Sequence, residues 1–379
     1  MHLAFSEEQE ALRAAARAFL AEHASSEAVR RAMAGELGYE PETWKRLSTE
    51  LGWTGVAIPE AYGGAGLGMV ELVALLEPMG EALLCAPFLS TVCLAAPVLL
   101  EAGSEGQRRE HLGAIAEGRT LAALAWTEDG GRWDADGIEA LAHRTGSGWR
   151  LSGRKRFVLD GHCADLLVVA ARRAGTRDAE GVSLFAVPAD APGVERRARA
   201  TLDATRRLAD VTLRDACLPA DALLGEEGAG MAPLERGFER ACIAVAAEQT
   251  GGAQRCLDLA VGHARERVQF GRPIGSFQAI QHKCADMMVA VESARSAAWY
   301  AGCAAAEGHA DLPEVASLAK AWCSEAYFRC AAEALQIHGG VGFTWEYDVH
   351  LHLKRARSME RFLGDPAEHR ERVAVFLGL

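Results

Sequence analysis

Apolar residues recur along this chain with a rhythm that changes twice. From Ser6 the spacing is helical. Leu12, Ala16, Phe19 and Leu20 share one face. Ser6-Glu7-Glu8-Gln9 reads as a capping box, in which the Ser6 hydroxyl accepts from the Gln9 amide while Gln9 reaches back. Pro41 stands at a favoured first position of a second helix, with Trp44, Leu47 and Leu51 as its expected buried face and Gly52 as its end. Residues 61–68, AYGGAGLG, predict a loop. They lack the terminal Lys-Ser/Thr of a phosphate loop, and no buried strand precedes them as in a dinucleotide fingerprint. Helical spacing returns from Met69 to about Leu100, with Pro78, Pro87 and Pro97 as breaks.

Near Thr120 the period shortens. Leu121–Trp126, Ile138–Arg144, Trp149–Leu151, Lys155–Leu159, Asp165–Ala171, Val182–Val187 and Val211–Leu213 predict short strands separated by glycines and charged turns. That spacing suits a small β-barrel or sandwich, not alternating βα units. Leu223 to Gly230 predicts a linker that closes this region. From Pro233 to about Arg361 the chain is helical again, in segments long enough to build a bundle, punctuated by Gly302 and by Gly308 to Pro313. The expected class is α+β, with a helical domain over 1–119, a β domain over 120–228 and a helical bundle over 229–379.

With 379 residues, half of them hydrophobic, the chain can bury a sizeable core. A net charge of −12 without a long basic run argues against nucleic acid and anionic membrane as partners. Ten scattered cysteines without a C-x-x-C pair read as small buried hydrophobes in a reducing compartment. No metal site is expected. His350 and His352 diverge on a helix, which points to a solvated or core role. The start of the chain has no basic leader before an apolar run, and apolar stretches fall short of a membrane span, so the expectation is a cytoplasmic protein without membrane insertion.

The stretch with most chemistry is Arg267 to Gln278, RVQFGRPIGSFQ, a tight connection between two long helices. A turn of this kind is usually small and polar. This one carries two arginines, two phenylalanines and two glutamines. Guanidinium forks suit pyrophosphate oxygens and aromatic rings suit a planar ligand, while the bland reading is a packed corner with surface arginines.

RVQFGRPIGSFQ resembles the flavin-binding turn of the acyl-CoA dehydrogenase family, and QIHGGVGFTWEY, Gln336 to Tyr347, resembles that family's second flavin segment. The resemblance spans nearly the whole chain. It implies a helical N-terminal domain, a β-rich middle domain and a C-terminal four-helix bundle, with FAD as cofactor, an acyl-CoA thioester as substrate and electron-transferring flavoprotein as acceptor. Arg267, Phe270 and Gln278 match the positions that hold the ADP end of a flavin bound mainly to a neighbouring subunit. Gln336, Gly339 and Gly340 match the second segment, whose glycines admit close backbone approach. Thr127, in Ala125-Trp126-Thr127-Glu128, matches a threonine beside the flavin ring, and Phe157, in KRFVLDG, matches an aromatic against it. Leu159 stands where the family usually has threonine. DGGRWDAD replaces the family's Gly-Ala-Gly-Ser-Asp loop.

The family reaction removes a proton α to the thioester while hydride leaves the β-carbon, and the proton step needs a carboxylate within reach, worth roughly 10²–10⁴-fold. Counting without gaps from Gln336, the usual glutamate falls on Leu363. The alternative position on the first bundle helix falls on Ala241, and the arginine that normally follows it is Cys242. Two carboxylates remain as candidate bases. Glu360 lies one turn before Leu363. Glu248 lies two turns beyond Ala241, about 10 Å along the helix. The structural alternative for Glu360 is an ion pair with Arg357 or Arg361, and for Glu248 a buried pair with an arginine.

Some family members are heterotetramers, dimers of dimers in which one subunit type supplies the base and the other completes the flavin site, notably those acting on steroid side-chain CoA esters. The retained clasp and eroded chemistry make this chain resemble the base-less subunit. The other readings are a self-sufficient homo-oligomeric dehydrogenase using Glu360 or Glu248, a non-catalytic scaffold without flavin, and a flavoenzyme with non-CoA chemistry that Cys242 leaves open.

Overall fold

The computed structural model describes residues 5–379. Helices α1 (Glu7–His23), α2 (Ser26–Ala34), α3 (Pro41–Lys45), α4 (Met69–Glu81), α5 (Ala96–Ala102) and α6 (Glu105–Ala116) precede the strands. Strands β1 (Ala122–Ala125), β2 (Leu141–Arg144), β3 (Gly148–Leu159), β4 (Leu166–Arg173), β5 (Val182–Pro188), β6 (Val194–Arg199), β7 (Leu208–Pro219) and β8 (Leu223–Leu224) form the middle. The C-terminal part contains α7 (Met231–Glu266), a hairpin of β9 (Val268–Gln269) and β10 (Arg272–Pro273), then α8 (Gln278–Glu307), α9 (Leu312–His338), α10 (Val349–Arg361) and α11 (Pro366–Phe376). The α+β layout of helical N- and C-terminal domains around a middle sheet domain is as predicted. The chain divides into two compact units, one of residues 1–33, 69–85 and 242–379 and one of residues 34–68 and 86–241.

In the first unit, the capping box at Ser6 forms with both hydrogen bonds in place. Helix α1 packs on α4, α4 on α8, α8 on α9, and α9 on α10 and α11. Helix α4 crosses α7 at glycines. A Cβ on Gly80 would lie 1.9 Å from the Glu248 carbonyl oxygen, and one on Gly251 would lie 1.8 Å from that of Glu77. Pro78 does not break α4 at its own position: it stands inside the helix, which runs on to Glu81. Gly302 does not punctuate α8 either. It is a contact point, where a Cβ would meet Val73 at 3.1 Å. Gly308 does end α8, in a left-handed cap with φ 68°.

The second unit holds the sheet, in the order β6-β7-β3-β2-β4-β5-β8 with β1 parallel to β4. β2 meets β4 through two residue pairs, Leu141↔Arg172 and Ala142↔Arg173. One core nevertheless takes side chains from both wings, including Leu151, Val211 and Leu213 on one side and Val169, Phe185 and Val187 on the other. The two predicted strands Trp149–Leu151 and Lys155–Leu159 are one strand, carried past its glycine by register shifts at 151/153 and 155/158. β6 escaped prediction because VERRAR is an edge strand, mostly exposed and without apolar alternation. The expected linker 223–230 is stitched down instead: Leu223 and Leu224 pair with Phe185 and Leu184, and the Gly230 amide donates to the Val182 carbonyl at 2.8 Å. Leu51 is exposed where burial was expected, since the helix widens to a π-turn over Arg46–Glu50 and leaves the 3.6-residue face.

Candidate functional site

At the far end of α7 the hairpin pairs Arg272 with Gln269 and Pro273 with Val268 around a two-residue turn. Both turn residues are left-handed, Phe270 at φ 52° and Gly271 at φ 77°, as a type I′ turn demands. That backbone lifts the Phe270 ring into solvent, 91% exposed. The Arg272 guanidinium lies over Phe277 at 4.1 Å, and Phe277 meets Phe270 edge-on at 6.1 Å. The Arg267 carbonyl accepts from the Ile274 amide at 2.8 Å, which closes the turn, and its side chain is exposed, as is Gln278 at the start of α8.

The second segment lies at the same corner. His263 near the end of α7 stacks on His338 at the end of α9, with ring centres 4.3 Å apart, and Tyr347 packs edge-on against both. The His338 Nδ1 is 2.8 Å from the Ala334 carbonyl. Burial lowers the pKa of both imidazoles, and for His263 the charges of His338 and Arg267 add to it. Four residues beyond His263 comes Arg267, and on either side of His338 come Gln336 and Gly339-Gly340. Gln336, Gly339 and Gly340 are exposed, Gly339 has φ 64°, and nothing lies within 4 Å of a Cβ built on either glycine. The six residues matched to the nucleotide clasp thus all present free surface, and the glycine backbone is open to a close ligand.

In the sheet unit, Thr127 follows β1. Its hydroxyl donates to the Arg156 carbonyl at 3.0 Å and its carbonyl accepts from the Arg156 amide at 2.8 Å. The next residue, Glu128, is buried with Lys155 at 2.5 Å and also accepts from the amides of Glu139 and Ala140. This pair ties the end of β1 to β3 and draws the DGGRWDAD loop inward. Beyond it the bulge puts Phe157 in the left-handed region at φ 55°, 43% exposed, with Arg199 at 5.3 Å and Arg156 at 6.0 Å from its ring. Leu159 is buried and offers no hydrogen bond. Trp126 packs between Trp133 at 5.2 Å and Phe238 at 4.8 Å.

Ala241 and Leu363, at the two usual base positions, are buried and apolar, as is Cys242. Glu248 is 4% exposed and pairs with Arg355, itself 2% exposed, at 2.7 Å. Glu360 is ion-paired with Arg357, one turn earlier on α10. Each carboxylate therefore sits in the ion pair that its structural alternative describes. Leu363 has φ 64° and Gly364 φ 102°. This bend is held by Lys320, whose amine donates to the carbonyls of Glu360 at 3.3 Å and Gly364 at 3.1 Å and to the Ser324 hydroxyl at 3.0 Å, while His369 Nε2 meets the Leu363 carbonyl at 3.0 Å. Burial drives the Lys320 pKa down to about 8. Lys320 carries a sequence signal of its own: it is the one charge in the apolar run VASLAKAWCS. Lys155 and the His263–His338 stack had none, because their partners are remote in sequence.

His350 and His352 are both core residues, and no cluster of metal-binding side chains occurs among the described residues. All ten cysteines are free and most are buried. No helix among the described residues is long and apolar enough to cross a membrane.

Three family models match in succession: "Acyl-CoA dehydrogenase, N-terminal domain" at residues 6–119, the "middle domain" at 123–215 and the "C-terminal domain" at 228–377. Acyl-CoA dehydrogenase IpdE2 of Mycolicibacterium smegmatis is 36% identical over 97% of this chain and 98% of its own length. Among solved structures, a chain of the ChsE4-ChsE5 complex from Mycobacterium tuberculosis superposes with TM-score 0.89 at 28% identity, covering 100% of this chain and 99% of that one. A chain of the Tcur3481-Tcur3483 steroid ACAD does so with TM-score 0.86 at 32% identity, covering 98% of each. On the sheet, the bundle and the sequence together, this chain belongs to the acyl-CoA dehydrogenase family.

Proposed function

We propose that this chain is the base-less subunit of a heteromeric, FAD-dependent acyl-CoA dehydrogenase. One observation carries the reading. Both usual base positions are filled by buried apolar side chains, and both remaining candidate carboxylates are held in ion pairs, while the six nucleotide-clasp residues stand exposed. The clasp suits FAD. Arg267 offers a guanidinium fork for a pyrophosphate, Phe270 a free ring face, Gln278 and Gln336 amides, and Gly339 and Gly340 a backbone without side chains in the way. Thr127 and Phe157 would lie beside the flavin ring, where Leu159 leaves one hydrogen bond unmade. FAD, when bound, supplies hydride acceptance from the β-carbon of the acyl thioester. This chain grips the nucleotide, and a carboxylate of the homologous subunit removes the α-proton. The assembly is a dimer of dimers working in the cytoplasm, with electron-transferring flavoprotein as acceptor. The pair-named neighbours and the steroid ACAD among them support a bulky steroid side-chain CoA ester as substrate.

Expression of the chain alone and with a base-bearing homologue tests this. The complex is expected to be yellow and to reduce ferrocenium in the presence of acyl-CoA, and the chain alone to be inactive. Acyl-CoA oxidation by the chain alone at the rate of the complex refutes it. In that case Glu248→Gln and Glu360→Gln identify the base, and a colourless complex points to the flavin-free scaffold.

A further inference from the structure

Away from the clasp, the first unit contains a cavity of about 370 Å³ between α1, α2, the end of α4, α7 and α10. Leu20, Val29, Leu83 and Leu351 give it apolar walls, continuous with the small core cluster beneath them. The imidazole of His352, 2% exposed, lines it. Its Nδ1 is engaged by the Tyr327 hydroxyl at 2.9 Å. Charge is confined to the mouth. Glu81 is neutralised by Arg17 and Asp348 by Arg30, in pairs of 2.7 and 2.6 Å. What remains is one cation and one anion on a single turn of α7. Arg255 forms no ion pair among the described residues, and Asp258 accepts only from the Gln254 amide at 2.9 Å.

A mostly apolar pocket with a few convergent polar groups is the ordinary form of a small-molecule site. Here the unmatched charges are opposite and, three residues apart, about 5 Å from each other along the helix. A simple acid would satisfy Arg255 and be repelled by Asp258, and an amine would do the reverse. We propose that this cavity binds a zwitterionic α-amino acid with an apolar side chain, its carboxylate on Arg255, its ammonium on Asp258 and its side chain against the leucines.

The probe is L-leucine, titrated calorimetrically into the full chain without CoA or any partner, so that the result is independent of the dehydrogenase reading. One leucine per chain is expected to bind saturably and to move the His352 ring resonances. 4-Methylpentanoate and 3-methylbutylamine, which each lack one charge, are expected to bind roughly ten- to hundred-fold more weakly, as loss of one charge-assisted contact implies. Arg255→Gln and Asp258→Asn, both at exposed positions that leave the packing intact, should each weaken leucine by the same factor. The proposal is overturned if leucine does not saturate up to tens of millimolar, if either isostere binds as tightly as leucine, or if both variants bind like the parent chain.

Discussion

The ion pair between Glu248 and Arg355 separates a structural carboxylate from a catalytic one by a stability measurement. Both side chains are almost completely buried, and the contact is 2.7 Å. Arg355→Met removes the cation and leaves Glu248 on a helix whose backbone is locked against α4, where a Cβ on Gly80 would come within 1.9 Å of the Glu248 carbonyl oxygen. The carboxylate cannot swing out to water. Breaking one side of such a pair costs about 3–5 kcal/mol, while replacing both sides by matched neutral groups is close to neutral. Glu248→Gln alone should cost nearly as much, because a guanidinium does not shed its proton. The double variant Glu248→Gln/Arg355→Met should return to within about 1 kcal/mol of the parent, giving a coupling well above the 0.5 kcal/mol expected of independent sites. Urea unfolding followed by circular dichroism reads all four proteins. If the single variants are neutral, or if the double variant is as unstable as the sum of the two, the pair is not what holds Glu248. If the double variant is stable yet the reconstituted enzyme loses turnover, Glu248 is the base and the base-less reading falls.

The remaining predictions address packing, pH and the clasp. Gly251→Ala would place a methyl group 1.8 Å from the Glu77 carbonyl and should separate α4 from α7, at a cost of about 3 kcal/mol or loss of soluble protein, whereas Gly262→Ala on the same helix meets nothing within 4 Å and should raise stability by up to about 1 kcal/mol. Thermal unfolding of the two variants checks both signs. Burial holds the pKa of His352 and of His369 at about 3, below the ordinary 6.5. The unfolded chain therefore takes up these protons first, so the stability they contribute is complete above about pH 6.5 and is lost as pH falls toward 3. The expected slope is about 1.4 kcal/mol per pH unit for each histidine, read from urea midpoints between those limits, and a flat profile there refutes neutral burial. Arg267→Ala, at an exposed position, should leave thermal stability of the isolated chain within about 0.5 kcal/mol of the parent but lower the flavin content of the reconstituted complex. Unchanged flavin occupancy would remove Arg267 from the clasp.

Much of this architecture was legible because local chemistry and tertiary role agree. Ser6 and Gln9 cap α1 with no help from elsewhere, and the long helical runs of the bundle need only apolar periodicity. The hairpin was legible as a turn from Phe270-Gly271 and Pro273. Other features required the partner to be known. The Pro78 and Gly302 expectations failed: one residue lies inside a helix that runs on to Glu81, the other where α4 needs a small neighbour. β6 was invisible because an exposed edge strand has no buried face to pattern. The candidate bases were legible as carboxylates at suitable spacings, and so was the local pair of Glu360 with Arg357, but the partner of Glu248 is Arg355, which no local window reaches.

On the proposed base-less reading, the bend at Leu363 would keep its scaffold while its side chain carries no acid–base chemistry. A leucine gains nothing from a left-handed backbone, which costs a non-glycine residue about 1–2 kcal/mol, and glycine at that position would avoid the cost. The strain is nevertheless held on three sides, by Lys320 on the carbonyls of Glu360 and Gly364 and by His369 on that of Leu363. Lys320 is itself expensive to bury, as its lowered pKa records. Packing alone would not retain a buried amine to stabilise a strained aliphatic residue. The arrangement makes physical sense if the fold must keep the α10–α11 corner in one geometry whatever side chain position 363 carries. On the proposed reading, the apolar residue there would mark a change in chemistry and not a local rearrangement of the chain. That distinction matters for the heteromer. A subunit that lost its base by refolding this corner would also disturb α9, the helix that carries both Lys320 and, at its end, Gln336 of the clasp. One that lost it by substitution alone keeps α9 in register and can still grip a nucleotide.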